Sequence, residues 1–431
     1  MTKTAIVVGS GAGGLAVTKE LANNGFEVTI IESGSDFSPL NRRFQFVYPL
    51  SRFGLLGSEK TISRFFPHMQ TSRASKNLLV VWGNTFGGST TLSCGNILRA
   101  ERGLSEIGLN LTSEFNEIES CIGTKTVPFE NWRPLTLRMF KAAKELDLDP
   151  NPTPKAVDIT KCASCGLCEL GCAKNAKWDA RRFLDAIPKN KVKFFTRTVV
   201  EKLVIINNQV KSIEARQGKN KLIFSSDVVV LAAGGLGTSI ILKNSGIETS
   251  DKLWIDIVAT LGGVSKGANQ LNELPMLWFT KHEDYMISPY IDLLSLWFYK
   301  PWRNVSSKDR VGLMIKLADS SNGAISKDGK ITKELTKSDA NKLDEGLKIA
   351  QEIMEKTGIK KPFITGMLNG GHLGGTVPLT ISDINSMKPS HLPENLWIAD
   401  LSLIPTSQGM PTILLTSALA LKVARKIIEA N

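Results

Sequence analysis

The stretch Thr4-Ala5-Ile6-Val7-Val8-Gly9-Ser10-Gly11-Ala12-Gly13-Gly14 decides the fold. Its first five residues are mostly apolar and have the length of a buried strand, and the glycines follow at once. A helix is predicted through Leu15, Ala16, Leu21 and Ala22, ending near Asn24-Gly25. Glu27-Val28-Thr29-Ile30-Ile31 reads as the next strand. This is the strand–turn–helix–strand unit that holds a dinucleotide. Gly9 permits the tight turn. Gly11, with Ala12 beside it, lets backbone amides approach a pyrophosphate, and Gly14 allows close packing of helix on strand. The helix N-terminus adds free N–H groups and a favourable dipole. Glu32, eighteen residues beyond Gly14, can accept bonds from a ribose 2′-hydroxyl, and its charge disfavours a 2′-phosphate. FAD and NAD share this signal.

Further pieces of the same architecture lie far along the chain. Asp227-Val228-Val229-Val230-Leu231 reads as a parallel strand buried on both faces, followed by a turn at Ala232-Ala233-Gly234-Gly235 and a helix through Thr238 to Asn244. Asn395 to Asp400 reads as a short strand ending in an acid, and Ser417 to Ile428 as an apolar-periodic helix. Before these lies a meander from Phe194 to Phe224 with a polar turn at Asn207-Asn208. From Leu261 to Lys361 the pattern changes. Gly312 to Leu317 reads as one strand of a second sheet, Asn322-Gly323 and Asp328-Gly329 as turns, and Asp339 to Thr357 as a helix. The expected class is α/β. A Rossmann-like domain would be assembled from residues 1–110, 190–260 and 370–431. An α+β substrate or cap domain built on the second sheet would take 111–154 and 261–369, and a cysteine insert 155–180.

Composition bounds what this architecture does. The chain has 431 residues, 53 basic against 41 acidic, for a formal charge of +12. That suits two packed domains. The lysines are scattered and interleaved with acids, and no nucleic-acid motif appears, so nucleic acid is not an expected partner. No run of 18 apolar residues exists, and Met1-Thr2-Lys3 leads straight into the first strand, so the expected location is cytoplasmic. The aromatic stretch from Leu277 to Trp302, with Lys300 and Arg303, reads three ways: domain core plus a contact with a second copy, a channel for an apolar substrate, or a membrane-surface contact.

Cys162, Cys165, Cys168 and Cys172 form C-x2-C-x2-C-x3-C, the spacing of bacterial iron–sulfur ferredoxins. Soft thiolates hold iron and delocalise its electrons. Zinc sites more often pair two C-x-x-C units across a longer gap. The preferred expectation is one [4Fe–4S] cluster on these four residues. A [3Fe–4S] centre, a remote ligand from Cys94 or Cys121, zinc and structural thiols remain alternatives.

The combined pattern resembles the glucose–methanol–choline (GMC) oxidoreductase family. The resemblance rests on Gly9-x-Gly11-x-x-Gly14, on Gly87-Gly88-Ser89-Thr90-Thr91, and on Leu231-Ala232-Ala233-Gly234-Gly235 followed by Leu242-x-x-Ser245-Gly246. It rests also on His372-Leu373-Gly374-Gly375-Thr376, followed by Asp400-x-x-x-x-Pro405. It implies bound FAD, with Gly87, Gly88, Ser89 and Thr90 along the flavin and Asp400 near the ribityl–pyrophosphate. It implies backbone contacts to the adenosine portion from the meander around Val200, contacts from Ala233 and Gly234, and a place for Pro411 in the late proline turn. His372 would lie at the reactive centre and handle the alcohol proton while hydride passes to the flavin. The chain departs from the family at that late turn. Met410-Pro411 stands where a His or Asn is usual, and neither residue donates a side-chain hydrogen bond. Ser407 and Gln408 are candidates to substitute. Gly171-Cys172-x-x-x-x-Lys177 is similar to part of the long-chain alcohol oxidases, and some sugar dehydrogenases of the family carry a cluster-bearing insert.

The resulting expectation is an FAD-dependent dehydrogenase that oxidises a C–OH group of a small, apolar substrate. Its electrons would leave singly through one cluster to a ferredoxin-like or other one-electron carrier. The alternatives are a reductase of an activated double bond or carbonyl fed by such a donor, and an electron-transfer subunit with no organic substrate of its own.

Overall fold

A computed structural model describes residues 2–39, 59–293, 300–302 and 304–431. Thr4–Val8 is the middle strand of a five-stranded parallel sheet. Val228–Leu231 and then Leu396–Ile398 lie on one side of it, Glu27–Ile31 and then Val192–Phe195 on the other. Val228–Leu231 is buried at every position, as its unbroken apolar run requires. The helices Ala12–Asn23 and Ile413–Ala430 pack on one another, so the two ends of the chain close one layer. The meander is an antiparallel sheet of Thr198–Ile206, Gln209–Gln217 and Asn220–Phe224. Its first turn uses left-handed φ at both Asn207 and Asn208.

Among the described residues the second sheet has nine strands. Its centre is Val258–Val264 against Arg310–Leu317, antiparallel, with Tyr285–Pro289, Trp278–Lys281 and Asn151–Pro152 continuing outward. Leu368–Gly370, Leu78–Gly83 and Met69–Arg73 extend the other side. The hairpin at 69–83 falls inside the 1–110 stretch expected for the nucleotide part, yet it pairs in this second sheet. Leu78 and Val80 of its buried run join the second core rather than the parallel one. The helix Lys337–Lys356 covers the sheet. It begins at a capping box in which Thr336 and Asp339 satisfy each other's backbone N–H groups. Its Gly346 sits where a Cβ would lie 2.7 Å from Ile315.

Of the aromatic stretch, Leu277, Trp278, Tyr285, Met286, Ile287 and Trp302 are buried in this domain. Leu294 to Tyr299 and Arg303 lie outside the described residues. Among the described residues no helix is long and apolar enough to cross a membrane.

Candidate active site

A cavity of about 710 Å3 opens between the two sheets. One end is walled by Gly9 to Gly13 and Glu32, the other by His372 and Lys316, with Asp400, Ala233 and Gly234 also on its wall. Each glycine of the turn has its own reason. Gly9 holds φ +102°, and a Cβ there would lie 2.3 Å from the Ala232 carbonyl oxygen. A Cβ on Gly14 would lie 2.0 Å from Gly9 O, so Gly14 brings helix onto strand from behind the wall. Gly13, to which the sequence reading gave no role, would drive a Cβ to 1.8 Å from Ala399 O. Gly11 differs, because nothing lies within 4 Å of a Cβ built on it. That open space, over a helix start with no side-chain cap, is where a pyrophosphate would approach.

Glu32 is tied down on both oxygens. Ser10 donates to Oε2 from its backbone N at 3.0 Å and from Oγ at 2.6 Å, and Gly34 N donates to Oε1 at 2.7 Å. Ser10 Oγ in turn accepts from Gly87 N at 3.0 Å, which links the two glycine motifs. Gly88, Ser89, Thr90, Val200 and Pro411 lie on the wall, whereas Gly87 stands behind it in left-handed backbone. Asp400 accepts from Gly234 N at 3.0 Å, Thr238 Oγ1 at 2.5 Å and Ser402 N at 2.9 Å. Burial pushes its carboxyl up, against those bonds. These residues fit FAD: a glycine-lined helix start for the pyrophosphate, an anchored acid for the ribose, and a long wall leading to an imidazole.

His372 follows the strand Leu368–Gly370 in a glycine-rich segment. Gly370 and Gly371 line the cavity beside it. Glycines of the segment also admit backbone and core: a Cβ on Gly370 would meet Ile255 at 2.3 Å, and one on Gly374 would meet Trp254 at 2.2 Å. The segment threads beside Trp254 to Asp256, with Trp254 N donating to Gly374 O and His372 N to Ile255 O. His372 Nδ1 thereby comes 2.9 Å from Asp256 Oδ2. Asp256 is buried in left-handed backbone, φ 55°. Its Oδ1 accepts from Ser407 Oγ at 2.6 Å and from Gln408 N and Gly409 N, both at 2.8 Å. Ser407 and Gln408 therefore hold the carboxylate behind the imidazole and do not replace the missing polar group in front. Burial opposes ionisation of Asp256, but Lys316, His372 and Ser407 outweigh it and hold the carboxyl below its ordinary range. Burial, and then the Lys316 charge, lower His372 against the pull of Asp256. The imidazole is thus neutral at neutral pH. Because a carboxylate only accepts, Nδ1 carries the proton and Nε2 is the basic atom.

Asp256 and Lys316 went unread in the sequence, although each left a signal. Each is a lone charge inside an apolar strand-like run, Trp254-Ile255-Asp256-Ile257-Val258 and Leu313-Met314-Ile315-Lys316-Leu317. Ser93 turns back to bond Thr90 O at 2.9 Å. Beyond it, Cys94, Asn96, Glu169 and Tyr290 complete the cavity wall on the side of the cysteine run.

In that run Cys168 is buried, Cys165 exposed, and Cys162 and Cys172 intermediate; all four are free thiols. Among the described residues no three His, Cys, Asp or Glu side chains gather so as to hold a metal ion. The thiols as placed thus form neither a tetrahedral zinc site nor a ligand set closed around iron. The backbone does wrap tightly, with left-handed φ at Ser164, Gly166, Gly171 and Asn175. Ser164 N points at Cys162 Sγ, 3.4 Å away, and Ala176 N at Cys172 Sγ, 3.3 Å away. Two buried lysines flank the run. Lys177 Nζ donates to the carbonyls of Thr91, Ser93 and Cys168, and Lys155 Nζ to those of Cys94 and Pro275 and to Asn96 Oδ1. Among the described residues neither has a carboxylate partner. Burial pushes the Cys168 thiol up to about 11, with the two lysines pulling the other way.

A parallel nucleotide-binding sheet joined by one cavity to a half-buried histidine on a buried aspartate defines a dinucleotide-dependent oxidoreductase. The comparisons carry this further. The family model for GMC oxidoreductase matches residues 4–267, and the chain belongs to that family. It is an FAD-dependent oxidoreductase. An uncharacterised protein of Methanocaldococcus jannaschii is 26% identical over 98% of this chain and 99% of its own length. A long-chain-alcohol oxidase of Arabidopsis thaliana is 26% identical over 57% of this chain but only 34% of its own length. The crystal structure of pyridoxine 4-oxidase from Mesorbium loti has the same fold, with a TM-score of 0.73 and 98% of each chain covered at 14% identity.

Proposed function

We propose that the protein oxidises a C–OH group of a small, apolar substrate, and that one [4Fe–4S] cluster on Cys162, Cys165, Cys168 and Cys172 passes the electrons singly to an external carrier. The observation that carries the reaction is His372 on the cavity wall, held from behind by Asp256. Asp256 fixes the imidazole, and Nε2 takes the hydroxyl proton, which weakens the adjacent C–H bond toward hydride loss. FAD bound between the glycine turn and His372 supplies the two-electron acceptor. The carbonyl product has lost two electrons and two protons, so two one-electron carriers close the balance. Leu92, Val258, Met276, Leu293 and Met314 on the wall suit an apolar substrate.

Three features support the cluster: the cysteine spacing, the tight wrap of the backbone, and two buried ammonium groups without carboxylates. Such cations are expensive unless an anionic centre is close, and thiolate-ligated iron is one. A cube of four irons spreads its sulfur ligands more widely than a single ion does. A chain acting only in electron transfer would need no cavity beside a paired imidazole, which weighs against that reading.

The test mixes the anaerobic FAD-loaded protein with primary alcohols of increasing chain length. Loss of the oxidised flavin band together with a carbonyl product supports the proposal. No reduction by any alcohol, with reduction of an enone or aldehyde when a reduced ferredoxin is supplied, would establish the reverse reaction instead.

A further inference from the structure

Arg310–Leu317 runs through the middle of the second sheet with every residue buried. Strand alternation places Val311, Leu313, Ile315 and Leu317 in the apolar core beneath the helix Lys337–Lys356. It sends Met314 and Lys316 to the opposite face, where both line the cavity. Lys316 is only 5% exposed.

The charge of this lysine is balanced, but its donors are not spent. Lys316 and Lys333 face Asp256 and Asp319, with His372 neutral beside them. Lys333 pairs closely, at 2.6 Å from Asp319 Oδ2 and 2.6 Å from Asn322 Oδ1. Lys316 Nζ stands 3.8 Å from Asp256 Oδ2 and makes one long hydrogen bond, 3.4 Å, to the Asp256 carbonyl. An ammonium has three N–H donors. One goes to that carbonyl and one leans on the Asp256 carboxylate, which leaves one for the cavity. Lys316 also approaches the same carboxylate oxygen that holds His372 Nδ1, so ammonium and imidazole stand side by side.

We propose that Lys316 is a catalytic residue whose Nζ donates a hydrogen bond to the reacting oxygen of the substrate. It supplies the polar contact that Met410 cannot make. The hydroxyl proton goes to His372, the hydride leaves from carbon, and Lys316 keeps its proton while stabilising the alkoxide-like oxygen between the two events. The step rests on the alcohol-oxidation reading, whereas the oxyanion contact itself requires only the FAD-loaded protein.

The probe is sulfite, a small anion that adds reversibly to the reactive face of oxidised flavin. The wild-type holoprotein should lose its oxidised flavin band saturably with sulfite. K316M should weaken that binding about tenfold or more, the loss of one charge-assisted contact, while FAD content and visible spectrum stay unchanged. K316R should stay close to wild type. If K316M loses its FAD, K316Q takes its place. Equal sulfite affinity in wild type and K316M, or no adduct in wild type, would overturn the proposal. Failure of every alcohol with the sulfite contrast intact would reject the alcohol reading alone.

Discussion

His372 Nδ1 lies 2.9 Å from Asp256 Oδ2, although 116 residues separate them in the chain. The pair makes the imidazole a fixed, neutral base, and both members are needed for that. H372A should slow substrate-driven flavin reduction by about 10²- to 10⁴-fold, the usual worth of a positioned base, with FAD still bound. D256N should slow it by about 10²-fold through loss of ring orientation and tautomer. Stopped-flow reduction of each purified variant checks this. Wild-type rates in either would remove the pair from the mechanism.

The pH dependence follows from the direction of the His372 shift. Burial and the Lys316 charge hold the imidazole below its ordinary value of 6.5, so the base form persists as pH falls. The acid limb of kcat/KM should lie below pH 6.5, with activity present above it and lost beneath it. K316M removes a neighbouring positive charge and should move that limb to higher pH. A profile that does not move would mean that Lys316 and His372 are not electrostatically linked.

The glycines of the turn should separate into two classes. G13A and G14A place a Cβ 1.8–2.0 Å from a backbone oxygen and should destabilise the folded chain by about 1–3 kcal/mol, seen as a lower Tm with or without added FAD. G11A has open space in the protein alone and should keep the Tm of the FAD-free chain while losing FAD affinity. Equal losses of Tm in all three would contradict this division.

Glu32 is expected to act through its two anchors as well as its charge. E32A frees Ser10 Oγ and the Gly34 amide and should weaken FAD binding by about 1–3 kcal/mol, the cost of leaving such donors unmet. Flavin retained after gel filtration is the measurement. Full retention would show that Glu32 does not contact the cofactor.

Protein purified without oxygen should contain about four irons and four acid-labile sulfides per chain, the content of one [4Fe–4S] cluster, alongside FAD. C168S should lower both. Flavin without iron after attempted reconstitution would make the run a structural element that Lys177 ties to the flavin motif.

The parallel sheet, its glycine turn and the helix over the second sheet were legible because each is a local pattern. An apolar run of strand length, a glycine where φ is positive, and a 3.6-residue period each leave a mark within about a dozen residues. The hairpin at 69–83 was not read in the sequence, and its place in the second sheet leaves no such mark. Leu78–Gly83 pairs with Leu368–Gly370, which no property of either segment announces. The His372 end of the cavity was half legible. His372 stood in a recognisable segment, while Asp256 and Lys316 looked like single charges in buried strands.

Sequence alone determined the strand, the glycine turn and the helix of a dinucleotide-binding unit. Only glycines can let the turn at Gly9 and the helix at Gly14 come so close, so the requirement is written in the residues themselves. It likewise determined that four cysteines fall within eleven residues of chain. Tertiary structure alone decided what stands around the reacting atoms. Asp256, Lys316 and His372 come from three separate segments, and each owes its place to the face its strand or loop presents. Lys316 reaches the cavity because strand alternation sends it away from Ile315 and Leu317. His372 reaches Asp256 because glycines allow its segment to lie against Trp254 and Ile255. Such geometry depends on long-range packing, and long-range packing has no local signature.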